Sequence, residues 1–134
     1  MFNYKTFLSA LAVIFFSANS WSHGLIEKID CRSLDQDLQF YGEEIESDSD
    51  YELHFTLNSK TLGQRDLGIA TFTLEDVFLN NKIVEKIEVT FNNGGTAKLL
   101  IPEIYEQKER LGTGELILFS PEVEQVLECL VIYE

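Results

Sequence analysis

The chain has 134 residues, 45% of them hydrophobic, with 23 acidic against 10 basic side chains and a formal net charge of −13. A domain of this size buries an ordinary core without metals or extra crosslinks. So negative a charge disfavours nucleic acid and anionic membrane as partners and favours basic proteins, polyamines and metal ions.

In chain order, residues 1–22 predict a secretory signal peptide. Lys5 precedes the apolar run Phe7 to Phe16, and the small-residue segment Ser17-Ala18-Asn19-Ser20 follows it. The run is too short to span a bilayer, which takes about 20 residues. Small residues at −3 and −1 allow cleavage after Ser20, leaving Trp21 first, or after Ser22, leaving His23 first. Either cut predicts a single exported β-domain over 23–134, periplasmic or secreted in a bacterium, with no membrane-spanning stretch left. Losing Lys5 with the signal takes the net charge from −13 to −14.

Two cysteines, Cys31 and Cys129, remain near the ends of the mature chain. An isolated pair in an oxidising compartment predicts a disulfide. The chain-entropy model gives such a long loop a stabilisation of about 4.7 kcal/mol. The pairing joins the first and last elements, as a closed barrel or a sandwich with paired terminal strands requires.

The segment from Leu25 to Ser33 alternates imperfectly between apolar and polar residues. Leu38 and Phe40 mark a short strand ended by Gly42, and Glu43 to Asp50 is an acidic loop or hairpin tip. Tyr51, Leu53, Phe55 and Leu57 share one face of a strand, with Glu52, His54 and Thr56 on the other. Asn58 to Gly68, carrying two glycines and scattered charges, predicts a long connection. Ile69 to Leu74 is a strand that Val77 to Leu79 continues before Asn80-Asn81 turns the chain.

The next hairpin can be placed in register. Ile87, Val89 and Phe91 share a face upstream, and Ala97, Leu99 and Ile101 share one downstream. A loop of two or four residues would set Val89 opposite Lys98, mixing core with solvent. A loop of three, Asn92 to Gly94, sets Val89 against Ala97 and Glu88 against Lys98. A type I turn with Gly94 in the left-handed conformation supplies it.

Glu103 to Leu111 has apolar residues at helical spacing and Gly112 as a stop, so a short helix is expected there. Beyond a turn at Ser120-Pro121, Leu127, Cys129, Val131 and Tyr133 alternate as a final strand, although Val123, Val126, Leu127 and Leu130 also fit a helix. The expected fold is all-β and mainly antiparallel: a small barrel or sandwich of seven or eight strands, closed by one disulfide, with room for one short helix.

Most enzyme templates fail. There is no Gly-x-Ser-x-Gly, and Gly63 to Gly68 is not followed by the Lys-Ser/Thr of a phosphate loop. His54 is the sole histidine in the body of the mature domain. The carboxylates Glu43, Glu44, Glu46, Asp48, Asp50 and Glu52 are the candidate partner-binding residues. Four of them alternate, projecting to one side of an extended segment, an arrangement of hard oxygen ligands that suits Ca²⁺. Leu53 and Ser59, however, stand where a calcium-binding helix-loop-helix loop needs Gly and Glu. His23 is the other metal candidate. As the first residue it would chelate Cu²⁺ through its α-amine and imidazole, with His54 able to complete the set. If Trp21 comes first, Trp21-Ser22-His23 is a square-planar Cu²⁺ or Ni²⁺ chelate.

The pair His23-Gly24 resembles the start of exported copper proteins with a histidine brace. An acidic, exported, disulfide-closed β-domain is similar, in architecture and charge, to bacterial inhibitors of lysozyme, whose targets are basic; their Ser-Gly-x-x-Tyr signature is absent. Penultimate Tyr133 in an apolar C-terminus resembles pilus subunits, whose disulfide spans far fewer residues. The expected function is a non-enzymatic binding domain, inhibitor- or adaptor-like, for a cationic partner and with no obligatory cofactor. The alternatives are a periplasmic metal-binding protein and a surface assembly subunit.

Overall fold

Alternation of side chains along extended segments decides which face of each strand turns inward. The structure, a computed structural model, describes residues 25–46, 51–103 and 107–134. These form eight strands: β1 (Ile26–Ser33), β2 (Leu38–Glu44), β3 (Glu52–Ser59), β4 (Gly63–Leu79), β5 (Lys82–Thr90), β6 (Thr96–Pro102), β7 (Glu109–Phe119) and β8 (Glu122–Tyr133). Each pairs antiparallel with the next, and β8 pairs with β1, so the sheet closes into an up-and-down barrel. Of the two expected architectures it is the barrel, with eight strands.

The interior is filled. Phe40 and Phe55 stack at 5.3 Å, and Phe91 meets both edge-on at 5.8 and 5.5 Å. Leu53, Leu57, Ile87, Leu99, Leu116 and Val131 close the space around them. Gly42 is glycine for a steric reason, since a Cβ there would lie 2.6 Å from the Phe55 ring. Outward positions carry mainly charged and polar side chains, the reverse of a membrane-spanning barrel. No described helix is long and apolar enough to cross a membrane.

Cys31 and Cys129 face each other directly across β1 and β8 and are bonded, with Cα atoms 4.0 Å apart. The bond therefore staples the seam where the first strand meets the last. The imperfect alternation of the first segment has a cause in the same seam. The register shifts between Ile26 and Lys28, so Ile26 and Ile29, three apart, are both buried.

The hairpin register is as its side chains require: Val89 opposite Ala97, Glu88 opposite Lys98, Ile87 opposite Leu99. The Phe91 N–H donates to the Gly95 carbonyl and the Gly94 N–H to the Phe91 carbonyl, and Gly94 has φ +90°. A Cβ on Gly94 would meet only the Phe119 ring, at an ordinary 3.7 Å. Gly94→Val is therefore expected to destabilise by backbone strain alone, on the order of 1–3 kcal/mol. Chemical denaturation of the two proteins measures it; equal midpoints would remove the strain argument.

Two expectations are corrected. Asn58 to Gly68 is not a long connection: β3 runs to Ser59, residues 60–62 turn, and β4 begins at Gly63. The turn is tight because Ser59 Oγ accepts from the Thr61 and Leu62 N–H groups, and Asp37 accepts from the Lys60 N–H. Of the charges that suggested a loop, Lys60 lies in this turn and Arg65 and Asp66 are exposed on β4. Nor do the described residues of Glu103 to Leu111 form a helix. Glu109 to Leu111 opens β7, paired with β8, because closing the barrel outweighs a weak helical pattern; residues 104–106 lie outside the described ones. Β-structure also takes the C-terminal segment, with Val123, Leu127, Cys129, Val131 and Tyr133 buried along β8.

Candidate functional site

The two ends of the barrel differ in construction. At one end the connections are short and pinned. Ser33 Oγ donates to Asp35 Oδ1 at 2.6 Å and accepts from the Leu38 N–H at 3.0 Å. The hydrogen bond from Ser33, followed by that from the Asp37 N–H, holds the Asp35 carboxyl below its usual range. Asn93 Oδ1 accepts from the Gly95 N–H at 2.9 Å in the turn between β5 and β6.

The opposite end gathers the ends of β2, β4, β6 and β8 and the starts of β1, β3, β5 and β7. It carries Glu43, Glu44, Glu46 and Glu52, together with Asp76, Glu103, Glu109 and Glu134. Lys28, directly opposite Glu43, is there too, with Lys82 and Lys108, and the carboxylates still outnumber these cations. Of the six acidic residues singled out in the sequence, the structure places these four at one end. Asp48 and Asp50 lie outside the described residues, as do residues 1–24, which include the expected signal peptide and His23. Among the described residues, no group of three or more His, Cys, Asp or Glu is arranged to hold a metal ion.

His54 lies on the outer face of β3 and its Nε2 donates to Asp66 Oδ1 at 2.8 Å. A bulge makes this possible: Phe55 opposes Gly68 and Thr56 opposes Asp66, leaving Leu67 as the extra residue. Asp66 Oδ1 also accepts from the Gly68 N–H at 2.8 Å. The hydrogen bond from His54, followed by that from Gly68, holds the Asp66 carboxyl below the usual range. His54→Ala should therefore raise the Asp66 pKa toward its ordinary value in an NMR titration. An unmoved value would assign the shift to the Gly68 N–H.

Just inside the acidic end is a buried polar group that sequence reasoning missed. Tyr133 donates its hydroxyl to Glu85 Oε1 at 2.5 Å, and the Arg110 guanidinium lies 4.2 Å from the centre of the Tyr133 ring. Glu85 is fully buried, and Arg110 and Tyr133 nearly so. Arg110 Nε also donates to the Gln107 carbonyl at 3.1 Å. The signal was present for Glu85, which shares the inward face with Ile87 and Val89. It was hidden for Arg110 by the helical reading of its segment.

Beside this end, β4 continues eight residues beyond Thr71, its last position opposite β3, and with β5 forms a projecting arm. Val77 faces Val84, Phe78 faces Ile83 and Leu79 faces Lys82 across it, and Asn80-Asn81 turn the chain at φ 52° and 64°. Phe78 is 73% exposed, Leu79 43% and Ile83 39%. Between the arm and the outer face of β6 runs a groove of about 780 Å³ lined by Leu79, Ile83, Val84, Leu100 and Pro102, with Lys82 and Glu103 among its polar residues. Comparison with protein-family models, curated proteins and solved structures returns no match for this chain.

Proposed function

We propose that the chain is an exported, non-enzymatic binding domain that holds a basic protein against the acidic end of its barrel, in the manner of an inhibitor or adaptor. One observation carries this reading: carboxylates from β2, β3, β4 and β7, from Glu103 just after β6 and from the C-terminus lie at one end of the barrel, the end with the longer connections. Side chains fill the barrel interior, so a partner is met at the surface rather than inside. Crowded carboxylates repel one another, and a cationic surface relieves that repulsion while steering association.

The test is a binding assay of the mature domain against basic proteins such as lysozyme and cytochrome c. Charge-led binding should weaken at least tenfold between roughly 0.02 M and 0.5 M salt, as the screening length shrinks. Neutralising Glu43, Glu44, Glu46 and Glu52 to Gln, and Asp48 and Asp50 to Asn, should abolish binding and leave stability unchanged or slightly higher. A neutralised variant that keeps every partner of the parent would make the acidity a solubility device and end this reading.

A further inference from the structure

We propose that the groove between the β4–β5 arm and β6 seats an apolar side chain of the cationic partner, making it the anchor of the interface whose charged rim is the acidic end. This deepens the function proposed above and rests on it. The floor consists of outward-facing residues, since Val84 pairs with Pro102 and Lys86 with Leu100 on the solvent side of the sheet. Elsewhere on that side of β5 and β6 stand Lys86, Glu88, Thr90, Thr96 and Lys98. Here Val84, Leu100 and Pro102 adjoin instead, and Val84 is only 9% exposed.

The wall is preformed. Consecutive left-handed residues at Asn80 and Asn81 make the tight turn whose twist suits a two-stranded ribbon, so Leu79 and Ile83 are held out without a long flexible loop. A fixed apolar recess inside a polar rim is the usual anatomy of an interface anchor. Charge selects the occupant. Lys82 and Glu103 both line the groove and Glu75 pairs with Lys86 at 3.2 Å, so the selection comes from the chain as a whole, with its net charge of −13. A second copy of this chain would bring like charges together. A partner that surrounds an aliphatic or aromatic side chain with Lys or Arg meets both features at once.

Two peptides of equal charge test this against the mature domain: an oligolysine, and a peptide in which Leu alternates with the same number of Lys. Seating one Leu should make the second bind about tenfold tighter or more. Leu79→Ser with Leu100→Thr should erase that advantage while leaving oligolysine binding intact. Leu111→Ser, which alters a 72% exposed apolar residue on β7 outside the groove, should preserve it. Equal binding of both peptides by the parent, or an advantage that survives in the groove variant, overturns the proposal but not the acidic-end reading. Failure of both peptides to bind overturns both readings. Should the groove variant melt early, amide shifts induced in the parent by the Leu-containing peptide decide: changes centred on Val84 and Leu100 support the groove, and changes elsewhere overturn it.

Discussion

Replacing Cys31 and Cys129 together by Ala should lower the unfolding free energy by about 3–5 kcal/mol. The bond links residues 98 apart, so in the unfolded chain it closes nearly the whole domain into one loop. Its second role is local. Cys31 and Cys129 are direct partners across the β1–β8 seam, the contact of longest sequence separation in the sheet and the one whose loop entropy is hardest to recover. Both side chains are buried against the core, so Ala also leaves a small void beside Leu99 and Gly114. Melting of the double variant some 10–20 °C below the parent is the corresponding thermal result. A fall of only a degree or two would mean that strand pairing alone specifies closure.

Much of this barrel was legible because its chemistry is local. Between Ile87 and Ile101, loop length, turn residue and facial pattern admit one register, and that register is present. The isolated cysteine pair located the seam. What failed was where polarity and burial part company. In Asn58 to Gly68, the first four residues of β4, Gly63 to Asp66, are all exposed, so neither face of that stretch carries an apolar pattern to mark it as a strand. At Glu109 to Leu111, local helical spacing competes with a ladder to β8 formed by residues some twenty positions away, and the ladder wins. The acidic end was half visible. Glu43 to Glu52 form a run in the sequence, but Asp76, Glu103, Glu109 and Glu134 join them only through topology. The groove was not legible at all, since Val84, Leu100 and Pro102 become neighbours only when β5 and β6 pair and the arm stands beside them.

Raising the pH past about 10 should destabilise the parent protein, and Tyr133→Phe should remove part of that loss. Burial first, then the hydrogen bond to Glu85, then the Glu85 charge hold the Tyr133 phenol far above its ordinary range; Arg110 opposes them without reversing the shift. The folded protein thus keeps this proton at a pH where the unfolded chain releases it. The stabilisation is fully present below the unfolded value, near pH 10, and is lost as pH rises beyond it. Lys86, whose pKa is raised by its exposed pairing with Glu75, weakens over the same alkaline range, so the informative quantity is the difference between parent and Tyr133→Phe. At neutral pH the Phe variant loses the hydroxyl that donates to buried Glu85, a cost of about 1–3 kcal/mol. Arg110→Ala should cost more, on the order of 3–5 kcal/mol, because it removes the buried cation stacked on the ring and leaves polar groups beside a cavity. Urea midpoints across pH 7 to 11 separate the two. The Arg110 variant should be weaker at every pH, whereas the gap between parent and Tyr133→Phe should close as the pH climbs. A gap that stays constant would mean that the Tyr133 proton is held no more firmly in the barrel than in the unfolded chain.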